Sequence, residues 1–205
     1  MYTERFVQVN FIFDIGNVLI SFRPELFLHE LFDNPAEADR IDTLIFKSNE
    51  WVELDAGLIS SEDACLNFCT KAPESKELIM KTMEMVPDML TPLYKTIQVL
   101  PEIKKSGHKL YYLSNYHKKL SRHIQDKYAF FELFDGGVFS CDVHMLKPSV
   151  GIYQYLLDKY GLNPYECVFF DDTETNVLAA QELGIKGVLF TDVKQIMDCI
   201  ECASV

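Results

Sequence analysis

The sequence predicts an α/β protein: a doubly wound parallel sheet carrying an inserted, all-helical segment. Three observations predict it. The apolar run Val9-Asn10-Phe11-Ile12-Phe13 stops at a carboxylate, Asp14, and then turns on Gly16. Near the other end, Cys167-Val168-Phe169-Phe170 stops in the same way at Asp171-Asp172. From about residue 108 onward, strand-like runs alternate with helical spacing, as parallel strands do when crossover helices join them. Buried parallel strands are near-continuous apolar runs. Two that end in acids imply one acidic cluster at the C-terminal edge of the sheet, where open α/β sheets bind ligands.

The elements follow in order. After the first strand, Gly16 permits backbone conformations closed to other residues. A hundred residues then separate Asp14 from Ser114, whereas a βαβ unit needs only about 30. That stretch shows no strand pattern but three helical ones. The first begins at Pro35 and spaces Ala38, Ile41, Leu44, Ile45 and Phe46 helically. The second follows Ser60-Ser61-Glu62-Asp63, a capping box. The third covers 74–85. Residues 21–90 are therefore expected to form a helical cap domain, with 1–20 and 91–205 making the core.

Pro101 should kink or restart the helix ahead of the next strand, 109–113. A helix over 118–127 and a short strand at 137–139 come next. Residues 152–160 place Ile152, Tyr153, Leu156, Leu157 and Tyr160 on one helical face, and Gly161 stops the run. The strand 167–170, a helix over 177–183 closed by Gly184, and a strand at 187–190 complete the alternation.

Composition narrows the function classes. Hydrophobic residues are 48% and charged residues 24%, an ordinary globular balance. A net charge of -12 with no basic stripe argues against nucleic acid as a partner. It leaves room for a small anionic substrate at a local positive site. No uninterrupted apolar run is long enough for a membrane span, and Met1-Tyr2-Thr3-Glu4-Arg5 opens no apolar leader, so a cytoplasmic location is expected. Cys199 and Cys202 have the spacing of a metal or redox pair, but no second pair or nearby histidine completes a site, so they read as thiols on a terminal helix.

Four chemical pieces sit at or just beyond strand ends: Asp14, Ser114-Asn115, Lys147-Pro148 and Asp171-Asp172. Each alone has a bland reading, as a turn, a surface loop or negative charge at a helix N-terminus. Acid, hydroxyl, lysine and acid at successive strand ends, however, converge on one crevice.

With these pieces the chain resembles the haloacid dehalogenase-like hydrolase superfamily over nearly its whole length. The matching motifs are Phe13-Asp14-Ile15-Gly16-Asn17-Val18, Leu113-Ser114-Asn115, Lys147-Pro148 followed by Ile152-Tyr153, and Phe170-Asp171-Asp172 with Asn176 beyond. The forms Asp-x-Gly-Asn-Val and Phe-Phe-Asp-Asp are most similar to the branch holding α-glucose-1-phosphate phosphatase and the phosphatase-like domain of soluble epoxide hydrolase. The resemblance implies a Rossmann-like core with a cap and a Mg²⁺-dependent phosphomonoesterase acting on a small phosphorylated metabolite such as a sugar phosphate. Asp14 would be the nucleophile and form an aspartyl phosphate. Asp14, the Gly16 carbonyl and Asp172 would hold Mg²⁺. Ser114, Asn115 and Lys147 would bind the phosphoryl group, with Lys147 also orienting Asp14. Asp171 and Asn176 would support the metal site from behind.

A charge count agrees. Asp14, Asp171, Asp172 and Lys147 sum to -2. Two charges about 4 Å apart interact by about 4 kcal/mol at an effective dielectric near 20, so the bare cluster repels a phosphate dianion and a divalent cation neutralises it.

Gly16 departs from the commoner pattern, in which a second aspartate two residues after the nucleophile is the general acid/base. The branch named above also carries glycine there. His117 or His144 could deliver the proton, although both fit ordinary loop residues. Three other readings stand beside the phosphatase: a metal-independent 2-haloacid dehalogenase, a phosphoglucomutase-like enzyme and a catalytically degenerate binding module. In the cap, Trp51 is expected to pack between helices rather than stack on a sugar, and Arg23 either to reach a substrate or to be a solvated hinge residue.

Overall fold

The computed structural model describes residues 8–203. Residues 1–7, which carry the start read above as no leader, lie outside the described residues. The strands are β1 (Asn10–Phe13), β2 (Ile20–Phe22), β3 (Leu90–Pro92), β4 (Lys109–Ser114), β5 (Gly136–Phe139), β6 (Cys167–Asp171) and β7 (Lys186–Leu189). Five make one parallel sheet in the order β5-β4-β1-β6-β7. The chain steps outward from β1 through β4 to β5, then returns to β6 on the other side. The direction of winding therefore reverses between β1 and β6, where such sheets open a crevice. Strands β1 and β6 are buried along their whole length, the reason their sequences lack alternation.

Between β2 and β3 run α1 (Pro24–Leu31), α2 (Pro35–Ile45), α3 (Asn49–Asp55), α4 (Ser61–Lys71) and α5 (Lys76–Met85). The core adds α6 (Tyr94–Ile97), α7 (Leu100–Lys105), α8 (Lys118–Lys127), α9 (Ser140–Val143), α10 (Val150–Tyr160), α11 (Glu174–Glu182) and α12 (Lys194–Ala203). Alternate strand residues feed the two faces of the sheet. Phe11, Phe13, Val168 and Phe170 pack with Leu100, Ile103, Leu120, Ile124 and Ile196 from α7, α8 and α12. Ile12, Leu113, Val138 and Phe169 pack with Ile152, Tyr153, Leu156 and Ala180 from α10 and α11. The inserted helices bury Ala38, Ile41, Ile45, Trp51, Phe68 and Ile79 in the same cluster as the first face.

Local signals account for the helix ends. Ser60 accepts from the Asp63 N–H at 3.0 Å and Asp63 from the Ser60 N–H at 3.3 Å, completing the capping box. Pro101 restarts rather than kinks the helix, because it sits in the first turn of α7, where its missing N–H is not needed. Gly161 ends α10 in the left-handed region, φ 62°.

The stretch from Asp14 to Ser114 does contain strands, contrary to the sequence reading. β2 and β3 pair antiparallel in the register Ile20–Pro92, Ser21–Thr91 and Phe22–Leu90. The ribbon forms the two crossings of the insertion, and the expected junctions at 20/21 and 90/91 fall inside it. Three-residue strands are too short to show alternation. Among the described residues no helix is long and apolar enough to cross a membrane. All six cysteines are free, and Cys199 and Cys202 lie on α12.

Candidate active site

The sheet register assembles the site. Phe13 stands opposite Tyr112 on β4 and Phe170 on β6, so Asp14, Ser114 and Asp171 emerge within one residue of the same level. The Asp14 N–H still bonds the Phe170 carbonyl at 2.8 Å, and the Phe13 and Phe170 rings stack at 5.1 Å.

Three donors pin one oxygen of Asp14. Its Oδ1 accepts from the Ile15 N–H at 2.8 Å, the Ser114 hydroxyl at 2.5 Å and the Lys147 ammonium at 2.8 Å. Among the described residues no donor meets Oδ2, which lies on the Gly16 side. Burial pushes the Asp14 carboxyl up to about 6; Lys147 opposes the rise and the nearby Asp171 charge adds to it. For Lys147, burial works against the charged form, but Asp14 and Asp171 outweigh it and hold the ammonium above its ordinary value.

Asp171 is consumed by orientation. Its carboxylate accepts from Lys147 at 2.6 Å, the Thr173 N–H at 2.8 Å and the Asn176 amide at 3.0 and 3.1 Å. Asn176 is itself fixed through its carbonyl by the Tyr153 hydroxyl at 2.9 Å. Lys147 thus bridges two carboxylates with its side chain 2% exposed, and it lies 5.4 Å from the centre of the Phe169 ring. A buried lysine so flanked is a fixed positive charge at the floor of the crevice.

Asn115 ties the lysine loop to the end of β4. Its amide donates to the Lys147 carbonyl at 3.0 Å and accepts from the Lys147 N–H at 2.9 Å. The side chain is a clasp on the lysine loop, and Asn115 also lines the crevice.

One carboxylate oxygen each from Asp14, Asp171 and Asp172 lies within 4.8 Å of the others, the one such group among the described residues. With Asp171 occupied, Asp172, exposed at the rim, and Asp14 Oδ2 are the carboxylate groups open to a cation. An all-oxygen set of this kind suits a hard divalent ion such as Mg²⁺. The enclosing crevice, about 220 Å³, is lined by Asp14, Gly16, Ser114, Asn115, Tyr116, Lys147, Asp172 and Asn176 among others. A larger apolar cavity of about 350 Å³ lies between α4, α5 and the start of α8, away from these carboxylates; the chemistry sits in the smaller space.

The other candidates fall outside the crevice lining. His117 caps α8, its Nδ1 accepting from the Leu120 N–H at 3.4 Å, and burial pushes its pKa down to about 4. His144 Nδ1 is 3.0 Å from the Ala56 carbonyl. Neither is placed to deliver a proton to the crevice. Trp51 packs on Phe22, Phe46 and His117, as a packing residue would. Arg23 is exposed and faces Glu25 at 3.9 Å. Sequence reasoning gave no role to Thr173, although an N–H two residues beyond an aspartate is an Asx-turn signal. It also missed Tyr116, which lines the crevice and whose buried hydroxyl has no partner among the described residues.

A sesquiterpene phosphatase of Aspergillus oryzae is 26% identical over 190 residues, covering 93% of this chain and 92% of that one. A chloroplast flavin mononucleotide hydrolase of Arabidopsis thaliana is 25% identical over 147 residues, 71% of this chain and 58% of that one. The fold matches a HAD family enzyme from Bacteroides thetaiotaomicron, solved with magnesium and inorganic phosphate, at a TM-score of 0.69 and 23% identity over 92% of this chain and 98% of that one. The family model of the haloacid dehalogenase-like hydrolases matches residues 10–184, and the chain belongs to that family.

Proposed function

We propose that the protein is a Mg²⁺-dependent phosphomonoesterase working through an aspartyl phosphate on Asp14. One observation carries the reading: a buried carboxylate, fixed by Ser114 and Lys147, beside the exposed Asp172. Asp14, the Gly16 carbonyl and Asp172 would hold the ion. When bound, Mg²⁺ supplies the charge that lets a phosphate dianion approach the carboxylates.

The side chains divide the rest of the work. Asp14 attacks phosphorus; a bond from its oxygen forms as the bond to the leaving oxygen breaks, and that oxygen takes a proton from solvent water. Water then attacks phosphorus, the Asp14–phosphorus bond breaks, and orthophosphate leaves. Ser114 and Lys147 lie against the attacking carboxylate and stabilise charge on the phosphoryl oxygens. Asp171, Asn176 and Asn115 hold Lys147 in place.

The substrate class is a small phosphorylated metabolite, with sugar 1-phosphates the first candidates. A crevice of about 220 Å³ is below the ~300–1,000 Å³ of drug-sized ligand sites, which favours a short leaving group. The relatives named for a sesquiterpene and for a flavin nucleotide mark the breadth a panel must cover. Phosphate release with Mg²⁺ across phosphorylated sugars, short acids, isoprenoid phosphates and flavin mononucleotide tests the class; turnover confined to the two bulky groups contradicts it. Such substrates agree with a cytoplasmic setting.

Gly16 gives a second test. A Cβ built on it meets nothing nearer than Asp14 Oδ2 at 3.9 Å, so the backbone there admits a Cβ. In the wild type, kcat/KM should fall steeply from aryl and sugar 1-phosphates to alkyl phosphates, whose leaving oxygens need more protonation. Gly16→Asp should flatten that slope and raise alkyl phosphate turnover, a gain bounded by the ~10²–10⁴-fold worth of general acid help. An unchanged slope in Gly16→Asp would show that proton delivery is not what Gly16 withholds.

A further inference from the structure

The end of α3 is one of the places where the insertion meets the core. Asp55, the last residue of α3, is half-buried, with its carboxyl end enclosed. Burial pushes the carboxyl pKa up to about 7, opposed by the His117 backbone N–H and the Trp51 indole N–H, which face the carboxyl. Its carbonyl accepts from the Ser140 hydroxyl at 2.5 Å, and the Ser140 oxygen accepts from the Tyr116 N–H at 3.0 Å. The Ala56 carbonyl lies 3.0 Å from His144 Nδ1. Gly57, at φ +69°, runs so close to Cys141 that a Cβ would stand 2.6 Å from the Cys141 carbonyl oxygen.

These contacts close on two core segments. Residues 116–117 directly follow Ser114 and Asn115; residues 140–144 lead into Lys147. Ser114 touches Asp14, and the Asn115 side chain clasps the Lys147 backbone. The segment 55–57 therefore ties the loops after β4 and β5 to each other and to the insertion.

We propose that Asp55 is a positioning residue: through His117 and Ser140 it couples seating of the inserted helices to the placement of Ser114 and Lys147 around Asp14. This rests on the phosphatase reading of the crevice. With the clip closed, both groups lie within hydrogen-bond reach of the nucleophile. With it open, the loops after β4 and β5 lose their common anchor.

Two variants test it. Asp55→Asn keeps one acceptor oxygen and turns an N–H against the other donor. Ser140→Ala leaves the carboxyl alone and cuts the link from the Asp55 carbonyl to Tyr116. Each should lower kcat for p-nitrophenyl phosphate by about 10–100-fold, the scale of a misplaced catalytic group, with a smaller change in KM. Methyl phosphate, too small to touch the insertion, should lose as much. A kcat within about twofold of wild type in both folded variants overturns the proposal, as does a loss confined to large esters, which would make Asp55 a leaving-group contact. If Asp55→Asn does not fold, Ser140→Ala decides alone. Trp51 is the sole tryptophan, so its emission reports the clip without any turnover. Asp55→Asn should shift it to the red, and unchanged emission contradicts the clip. Wild-type protein with no turnover in Mg²⁺ would sink the phosphatase reading instead, leaving the emission to judge the clip.

Discussion

Asp14→Asn is expected to abolish phosphatase turnover while leaving the fold standing. The amide is nearly isosteric with the carboxylate, and its oxygen can still accept from Ile15 and Ser114. Lys147 keeps its bond to Asp171 at 2.6 Å, so no buried charge is stranded. What is lost is the attacking oxygen and one carboxylate for the cation. Removal of the nucleophile in a serine protease costs on the order of 10⁶ in kcat. The check is kcat with Mg²⁺ alongside a thermal melt. A variant that melts with the wild type and turns over within a few-fold of it would rule Asp14 out as nucleophile.

Lys147→Met should instead damage both activity and stability. Lys147 is the counter-ion for two carboxylates, Asp14 at 2.8 Å and Asp171 at 2.6 Å, in a site almost closed to water. Breaking a buried ion pair by removing one partner costs about 3–5 kcal/mol. At roughly 2–4 °C per kcal/mol for a domain of this size, the melting temperature should fall by roughly 10 °C. Turnover should fall with it, since the fixed positive charge at the crevice floor is gone. A melt unchanged from wild type would mean that the carboxylates find another cation or protonate without cost.

The contrast between these variants shows what the sequence could and could not specify. The strands β1 and β6 were legible because full burial makes their sequences continuously apolar, and the mostly buried β4 was legible for nearly the same reason; the residues at their C-terminal ends, Asp14, Ser114 and Asp171, come together as strand order requires. Ribbon strands of three residues left no period to read. The role of Asp171 was only half legible: its position at a strand end was clear, but its bond to Lys147 spans 24 residues of chain and a crossover helix. Asn115 shows the same limit. Its place beside Ser114 was right, yet the direction of its side chain is set by the Lys147 backbone across the crevice, which spacing along the chain cannot reveal. No motif in the sequence marks Asp55. The role proposed for it rests on its place between the insertion and the core, beside the Trp51 indole and the His117 backbone.

Metal-dependent release of phosphate is the most direct test of the central claim. Purified protein would be stripped with EDTA and assayed with p-nitrophenyl phosphate before and after Mg²⁺ is restored, with chloride release from 2-chloropropionate followed in parallel. The site described here predicts no turnover in EDTA, recovery on addition of Mg²⁺, a raised Mg²⁺ requirement or no turnover in Asp172→Ala, and no chloride. Full phosphatase activity in EDTA, or halide release by the same preparation, would contradict it.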